Sequence, residues 1–483
     1  MSIDQTIDKI FEPIAKTASD IVFYDVMIMG YDIKLILIWL LGAALFFTFY
    51  LGFINIRFFK HSIDIVRGKY DDPKDAQSGQ ISRFQALATS LSGTVGLGNI
   101  AGVAVAISIG GPGAVFWMLL MGIFSMSTKF AEVAMGVKYR HRNKAGHPEN
   151  ISGGPMYYLR DAFANRDIPY LGPIVAGAFA VACVAGSIGA GNMFQSNQAY
   201  QMVVNVTGGA EGFFGDKGWL FGLGLAVMVG LVIIGGIKSI GAVAGRLVPA
   251  MAGIYMVAAL VVIVVNIHNV PDALASIFVQ AFEPAAGIGG LMGALLVGVQ
   301  RAAFSNEAGL GSAAIVHATA QTDDHVSQGM VAMIGPFIDT VVICLVTALV
   351  IVISGAHLDA DGVEGIHLTS KAMETGASWF PYVLALTVFL FAYSTLITWF
   401  YYGVKGLTFL FGSKGSVENI YKLIFLACIV IGASSEVKSI IIFADAMILS
   451  MAIPNLIGLY LLAPEIKRDL KEYIKKIKAK SVA

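Results

Sequence analysis

The stretch Ser92-Gly93-Thr94-Val95-Gly96-Leu97-Gly98-Asn99 lies inside an apolar run from about Phe84 to Ile109. Its glycines at 93, 96 and 98 fall where a membrane helix should be most regular. Glycine costs about 1 kcal/mol relative to alanine in a helix interior. Unwound backbone at membrane depth is tolerated only where protein buries it or it lines a cavity. A second interrupted run, Phe304-Ser305-Asn306-Glu307-Ala308-Gly309-Leu310-Gly311-Ser312, stands in the other half of the chain. Two such breaks predict one shared site, with the remaining helices holding and moving it.

Outward from these breaks, apolar runs recur from Ile33 to Leu462. Hydrophobic residues make up 57% of the 483 positions and charged ones 13%, against about 25% charged in ordinary globular chains. Mean hydropathy is +0.75. The fold class is therefore an all-α polytopic membrane protein in contact with the lipid bilayer. Formal net charge is zero, and nothing points to nucleic acid or to an obligate protein partner. Cys183, Cys344 and Cys428 all fall inside predicted spans and read as small packing residues, without disulfide or metal spacing. There is no HExxH and no GxSxG, and Gly235-Gly236-Ile237-Lys238 lacks Walker A spacing. The loops are too short for a nucleotide-binding domain, so neither an enzyme nor a primary pump is expected.

Runs of about 20 apolar residues give eleven spans: Leu35–Ile56, Phe84–Ile109, Ala114–Val137, Leu171–Val204, Leu220–Ile237, Ala242–Ile267, Ile288–Ala318, Gln328–Ser354, Tyr382–Phe411, Ile420–Ala433 and Ile440–Leu462. Residues 1–32 lack the basic start of a cleavable signal. Ile3, Ile7, Ile10, Phe11 and Ile14 instead share a helical face, which suits either an interfacial helix or one packed on its own membrane domain. Lys and Arg crowd the loops after spans one (Arg57, Lys60, Arg67) and three (Lys138, Arg140, Arg142) and the tail 463–483 (Lys467, Arg468, Lys471). Eleven spans put all three clusters on one side, the cytoplasm, leaving the N-terminus outside and the C-terminus inside a cell membrane. Span one, residues 33–57, then stands apart from two five-helix units, 82–267 and 287–462. They have opposite topology, and each is led by a broken helix. This is the pattern of an inverted-repeat secondary transporter.

At the first break, free carbonyls near Ser92–Val95 favour a cation, and free N–H groups near Leu97–Ile100 favour an anion. An amino acid zwitterion carries both charges, so the breaks offer it complementary partners without a formal protein charge. Side-chain oxygens nearby are Thr94, Asn99, Ser305 and Asn306. Span four adds Ser187, Asn192, Gln195, Ser196 and Asn197, a high polar density for a membrane helix. Ser394, Thr395 and Thr398 share a face of span nine, where hydroxyls also commonly back-bond to their own helix. Among the intramembrane charges, Lys129 and Glu132 are expected to pair near the cytoplasmic surface. Arg301 has Glu307 or Asp339 as partner. Glu307 has proton carrier or cation ligand as further roles, and Asp445 faces the same choice.

Gly110-Gly111-Pro112-Gly113-Ala114-Val115-Phe116-Trp117-Met118, Thr128-Lys129-Phe130-Ala131-Glu132 and Gly153-Gly154-Pro155-Met156-Tyr157-Tyr158 resemble the alanine/glycine:cation symporter family over nearly the whole chain. Leu119 departs from it, replacing a second Trp. The resemblance implies uptake of alanine or glycine with sodium as the coupling ion, no other cofactor, and the fold superfamily of the bacterial leucine transporter. It implies Leu97 and Gly98 N–H groups at the substrate carboxylate, and Thr94, Asn99 and Ser305 at one sodium. A second sodium would take the Ser92 and Val95 carbonyls with Ser394 and Thr395, or Thr398 one turn on. Phe304 would be an aromatic gate, while Asn306 and Glu307 replace smaller or apolar residues of that superfamily. The expected function is sodium-coupled symport of small neutral amino acids by alternating access. Proton coupling through Glu307 or Asp339, and a passive channel or sensor, are the competing readings.

Overall fold

Helices that are apolar all round are stable only when protein or lipid surrounds them, and that is how this chain is built. The computed structural model describes residues 3–28, 31–70, 78–142, 151–166, 168–283, 290–358 and 365–482. Amphipathic α1 (Ile3–Val22) leads through a ribbon, β1 (Asp25–Ile28) antiparallel to β2 (Tyr31–Lys34), into α2 (Leu35–Tyr50). The first broken run is α3 (Arg83–Thr94), a 3₁₀ turn at Leu97–Asn99 and α4 (Ala101–Gly110), bent by 58°. A capping box starts α3: Ser82 Oγ accepts from the Gln85 N–H, and Gln85 Oε1 accepts from the Ser82 N–H. Then come α5 (Gly113–Lys138), α6 (Pro155–Ala164), α7 (Leu171–Val206), α8 (Gly218–Ile233), α9 (Gly236–Val265) and α10 (Val270–Gln280). The second broken run is α11 (Gly290–Asn306) and α12 (Ser312–His317). The chain continues as α13 (His325–Ile353), α14 (Ile366–Glu374), α15 (Phe380–Phe411), α16 (Gly415–Ser434), α17 (Val437–Ser450) and α18 (Ala452–Val482).

Among the described residues, seven helices are long and apolar enough to cross a membrane, or eight with the bent α3–α4 pair as one span. The other three predicted spans fall on α2, on α8 and on the broken pair α11–α12. The last predicted span covers α17 and α18, and the tail continues α18 as helix to Val482.

Two groups of helices meet at the breaks. Around the broken helices, α5 packs along α11, α12 and α13. In the other group α7 packs along α15 and α8 along α16, while α9 lies against α15 and α3. The contacts thus pair α5 with α13, α7 with α15 and α8 with α16.

Candidate substrate and ion site

The first break leaves its backbone groups to side chains from the facing group. The Ser92 carbonyl accepts from Thr395 Oγ1 at 3.0 Å, and the Gly93 carbonyl from Trp399 Nε1 at 3.3 Å. The Gly96 N–H donates to Asn99 Oδ1 at 3.0 Å, and the Leu97 N–H to Gln195 Oε1 at 3.4 Å. The Ser92 and Gly93 carbonyls thus bond to α15 and the Leu97 N–H to α7, while the Gly96, Asn99 and Ile100 N–H groups are bonded within the break itself.

The second break is held by a carboxylate. Glu132 Oε2 on α5 accepts from the Gly309 and Gly311 N–H groups at 3.0 and 3.1 Å. Gly309 and Gly311 have φ of +88° and +81°, a conformation glycine adopts without cost, and Glu307 shares it at +55°. Lys129 Nζ lies 3.3 Å from Glu132 Oε1, and both side chains are buried. The predicted ion pair forms, but in the protein interior and as the anchor of the break rather than at the cytoplasmic surface.

Between the breaks lies a cavity lined by Gly93, Thr94, Gly96, Gly98, Ala190, Gln195, Phe304, Glu307, Trp399 and Ile448. About 10 Å³ is open to the centre of a water, about the room one water needs. A Cβ on Gly98 would stand 3.1 Å from Phe304 Cδ1. One on Gly191 would overlap Trp399 Cγ at 2.2 Å, so this glycine of α7 makes the room that Trp399 fills. The lining is not free of formal charge, as the sequence had suggested. Glu307 faces the cavity, its Oε1 accepting from Trp399 Nε1 at 3.2 Å and its Oε2 from Ser312 Oγ at 2.5 Å.

Two oxygen clusters flank the cavity. In the first, Ser92 meets α15: its carbonyl takes the Thr395 hydroxyl, its own Oγ donates to the Ser394 carbonyl at 2.8 Å, and Thr398 Oγ1 donates to Ser92 Oγ at 3.1 Å. Ser394 Oγ back-bonds to the Phe391 carbonyl at 3.0 Å. Thr395 thus reaches the Ser92 carbonyl and Thr398 the Ser92 hydroxyl, while the Ser394 hydroxyl stays on its own helix. Val95 ends α3 beside this cluster, its N–H bonded to the Leu91 carbonyl at 2.6 Å. In the second cluster Asn99 Nδ2 donates to Ser305 Oγ at 3.0 Å and to the Asp339 carbonyl at 2.9 Å. Ser305 Oγ lies 3.2 Å from Thr340 Oγ1, which donates to the Asp339 carboxylate; Thr94 and Ser305 also face that carboxylate.

Thr340 was not singled out by sequence, and Asp339 was read as a pairing or proton group rather than a member of this oxygen cluster. Both lie on a π-helical segment, Phe337–Cys344, next to Pro336. Such turns mark functional sites often, and a proline inside an apolar run is the sequence signal that points to one. Trp399 was missed as well: as a large apolar residue in a span it carries no signal until the packing shows it against both breaks.

Asn192 and Asn306 join neither the cavity lining nor the two oxygen clusters. Asn192 donates to the Phe425 carbonyl of α16 at 2.7 Å, and Asn306 bonds Ser125 Oγ and the Ala308 N–H at 3.1 and 2.9 Å. A second π-helical segment, Gly189–Met193, shifts the helical phase between Ser187 and Gln195, turning Gln195 inward and Asn192 outward. Ser196 and Asn197 likewise spend their side chains on α7 and α16 carbonyls. Arg301 pairs with Asp445 of α17, not with Glu307 or Asp339, and lies 5.4 Å over the Phe304 ring.

Known proteins carry the same pattern. Residues 17–483 match the sequence pattern of the sodium:alanine symporter family. A sodium/alanine symporter, AgcS, of Methanococcus maripaludis is 39% identical over 450 residues, 92% of this chain and 96% of that one. A probable sodium/glutamine symporter, GlnT, of Bacillus subtilis is 35% identical over 448 residues, 92% and 89% of the two chains. In fold, the chain is similar to the crystal structure of MhsT in complex with L-phenylalanine, with a TM-score of 0.50 at 15% identity over 80% of this chain and 98% of that one. A shared sequence along nearly the whole chain, in a leucine-transporter-like fold whose two broken helices meet at one cavity, makes this multi-pass membrane protein a cation-coupled amino acid symporter and no enzyme: it belongs to the sodium:alanine symporter family.

Proposed function

We propose that the protein couples uptake of alanine or glycine to sodium, and the observation that carries this reading is the cavity between the breaks. Its lining sets Phe304 and Trp399 around the polar groups of both breaks; the room of about one water would have to widen to admit a substrate, and the smallest amino acids ask least of it. The Leu97 and Gly98 N–H groups would take the carboxylate, with Gln195 yielding its bond to Leu97, and Glu307 would face the ammonium. The Ser92 and Val95 carbonyls with Ser394, Thr395 and Thr398 make one sodium site. Thr94, Asn99 and Ser305 with Asp339 and Thr340 make the other, where a carboxylate offsets the ion's charge. Hard oxygen ligands of this kind suit a small cation.

Eleven spans in a five-plus-five inverted repeat behind one extra helix give an outside N-terminus and a cytoplasmic C-terminus. The group holding the broken helices would rock against the group of α7, α8, α15 and α16. Proton coupling is the second reading, because Glu307 and Asp339 are both buried carboxylates at the site. Uptake of labelled alanine into proteoliposomes decides between them. Accumulation under an imposed sodium gradient is expected, and accumulation driven equally by a pH gradient without sodium would replace sodium by the proton. Mere equilibration would identify a channel.

A further inference from the structure

Helix α1 takes no part in the site, and residues 3–16 lie ahead of the segment matched to the family, 17–483. At 100° per residue, α1 presents three faces. The first meets protein: Asp4 Oδ2 accepts from the Gly218 N–H at the head of α8 at 2.9 Å, and Asp8 Oδ1 from the Glu436 N–H at the head of α17 at 2.8 Å. On the same face Phe11 packs edge-on against Phe443, ring centres 5.1 Å apart, and Ala15 is buried. The second face is bare isoleucine: Ile3, Ile10, Ile14 and Ile21 are 56%, 66%, 53% and 77% exposed. The third carries Lys9, Glu12, Lys16 and Asp20, all exposed.

A helix wetted on both outer faces would not present four isoleucines side by side, and one immersed in hydrocarbon would not carry four charges. Both faces are satisfied where protein, lipid and water meet. The depth agrees. The basic tail, taken from Ala463 on, bounds the last span on one side, with Lys467 4.1 Å over the Tyr50 ring just beyond it. A span of about 20 residues counted back from Ala463 reaches Phe443, the residue that Phe11 touches. Between α1 and α17 runs a largely apolar groove of about 450 Å³, lined by Pro13, Ile14, Thr17, Ala18, Ile21, Val22 and Met447. Below the Asp4 contact, Leu223 and Val227 of α8 are exposed as well, so α1 borders the lipid-facing surface of the membrane helices.

We propose that α1 is an interfacial lipid-binding helix, in the leaflet opposite the basic tail, whose groove against Met447 takes a phospholipid acyl chain. The carboxylates of Asp4 and Asp8 tie that lipid contact to the heads of α8 and α17.

The test uses the full chain in nanodiscs with Cys428→Ala, leaving the buried Cys183 and Cys344. A bimane label is placed at Ile10→Cys, Ile21→Cys or Lys16→Cys. Brominated phosphatidylcholine should quench the labels at 10 and 21 several-fold more than the one at 16, and aqueous iodide should reverse that order. Iodide quenching at 10 and 21 equal to that at 16, with no effect of bromolipid, overturns the proposal. On the unsubstituted protein, a phosphatidylcholine with a photoactivatable acyl chain should leave adducts on residues 10–22 and on Met447. Adducts confined to other helices overturn it equally.

Discussion

Gly98 has room for a hydrogen and little more, because a Cβ there would meet Phe304 at 3.1 Å and Ser305 Cα at 3.6 Å. Gly98→Val should therefore abolish alanine binding in a scintillation proximity assay while the protein stays folded. Normal affinity would refute the placement of the substrate carboxylate. Gln195 tests the same spot from the facing side, since its Oε1 accepts from the Leu97 N–H. In Gln195→Glu a fixed negative charge stands where the substrate's carboxylate must come, and alanine affinity should fall about 100-fold or more, roughly 2.8 kcal/mol. At the proposed sodium site on α15, Thr395→Ala removes a hydroxyl oxygen next to the Ser92 carbonyl. The sodium concentration for half-maximal alanine binding should rise about tenfold, near the ~1.4 kcal/mol of one polar contact. An unchanged sodium dependence would remove Thr395 from the ligands. The hydroxyls on α15 were legible as candidates from their spacing. Which of them reaches the break was not, because that depends on how α15 and α3 pack.

The broken segments themselves were legible, since glycines inside an apolar run violate helix propensity locally and openly. What holds the second break was not. Glu132 lies 177 positions from Gly309, and from sequence it looked committed to Lys129 three residues earlier. In the structure one oxygen faces Lys129 and the other closes the break, with Asn455 Nδ2 donating to the Gly309 carbonyl at 2.8 Å. Glu132→Gln leaves the Lys129 ammonium buried without its counter-charge, a change that typically costs about 3–5 kcal/mol. The thermal midpoint in detergent should drop clearly, and adding Lys129→Met should restore part of the loss. A Glu132→Gln protein as stable as the parent would show that the pair does not anchor the break. The π-helical segments show a second limit at this scale. A 3.6-residue period read along α7 places Asn192 and Gln195 from one continuous phase, and the turn at Gly189–Met193 breaks that phase.

Across the molecule, the two breaks are tied together far from the cavity. Among the described residues, Arg140, just past the end of α5, makes five hydrogen bonds: to the Ala318, Ala320, Ser78 and Thr322 carbonyls and to Asp323. Beside it the Gln80 N–H donates to the Thr319 carbonyl at 2.7 Å, and the Gln321 N–H to the Ile81 carbonyl at 2.8 Å. The start of the first broken helix and the segment after the second are thereby joined, so the group that carries both breaks is braced as one body. Arg140→Lys keeps the charge but loses the planar fork that reaches several carbonyls at once. Amide exchange at Gln80 and Gln321 should accelerate in that variant, with alanine affinity retained. Unchanged exchange would show that the backbone pairing stands without the arginine. Sequence had assigned Arg140 only to the basic cytoplasmic loop, a reading of its charge that says nothing of its partners.

The sequence by itself determined the membrane class, the broken helices, the charged ends of the spans and, through motifs, the family. Each follows from a constraint that acts locally: hydrocarbon requires every backbone group to be bonded within its own segment, so spans, breaks and charged ends are written into consecutive residues. Only the tertiary structure decided that Trp399 and Glu307 line the cavity, that Asp339 joins the Asn99–Ser305 oxygen cluster, that Arg301 belongs to Asp445, and that Glu132 closes the second break. Trp399 and Glu307, Arg301 and Asp445, Glu132 and Gly309, and Asn99 and Asp339 lie between about 90 and 250 positions apart along the chain. They meet only after helices have chosen neighbours and phases, and two π-helical turns set those phases in a way no regular helical period foretells.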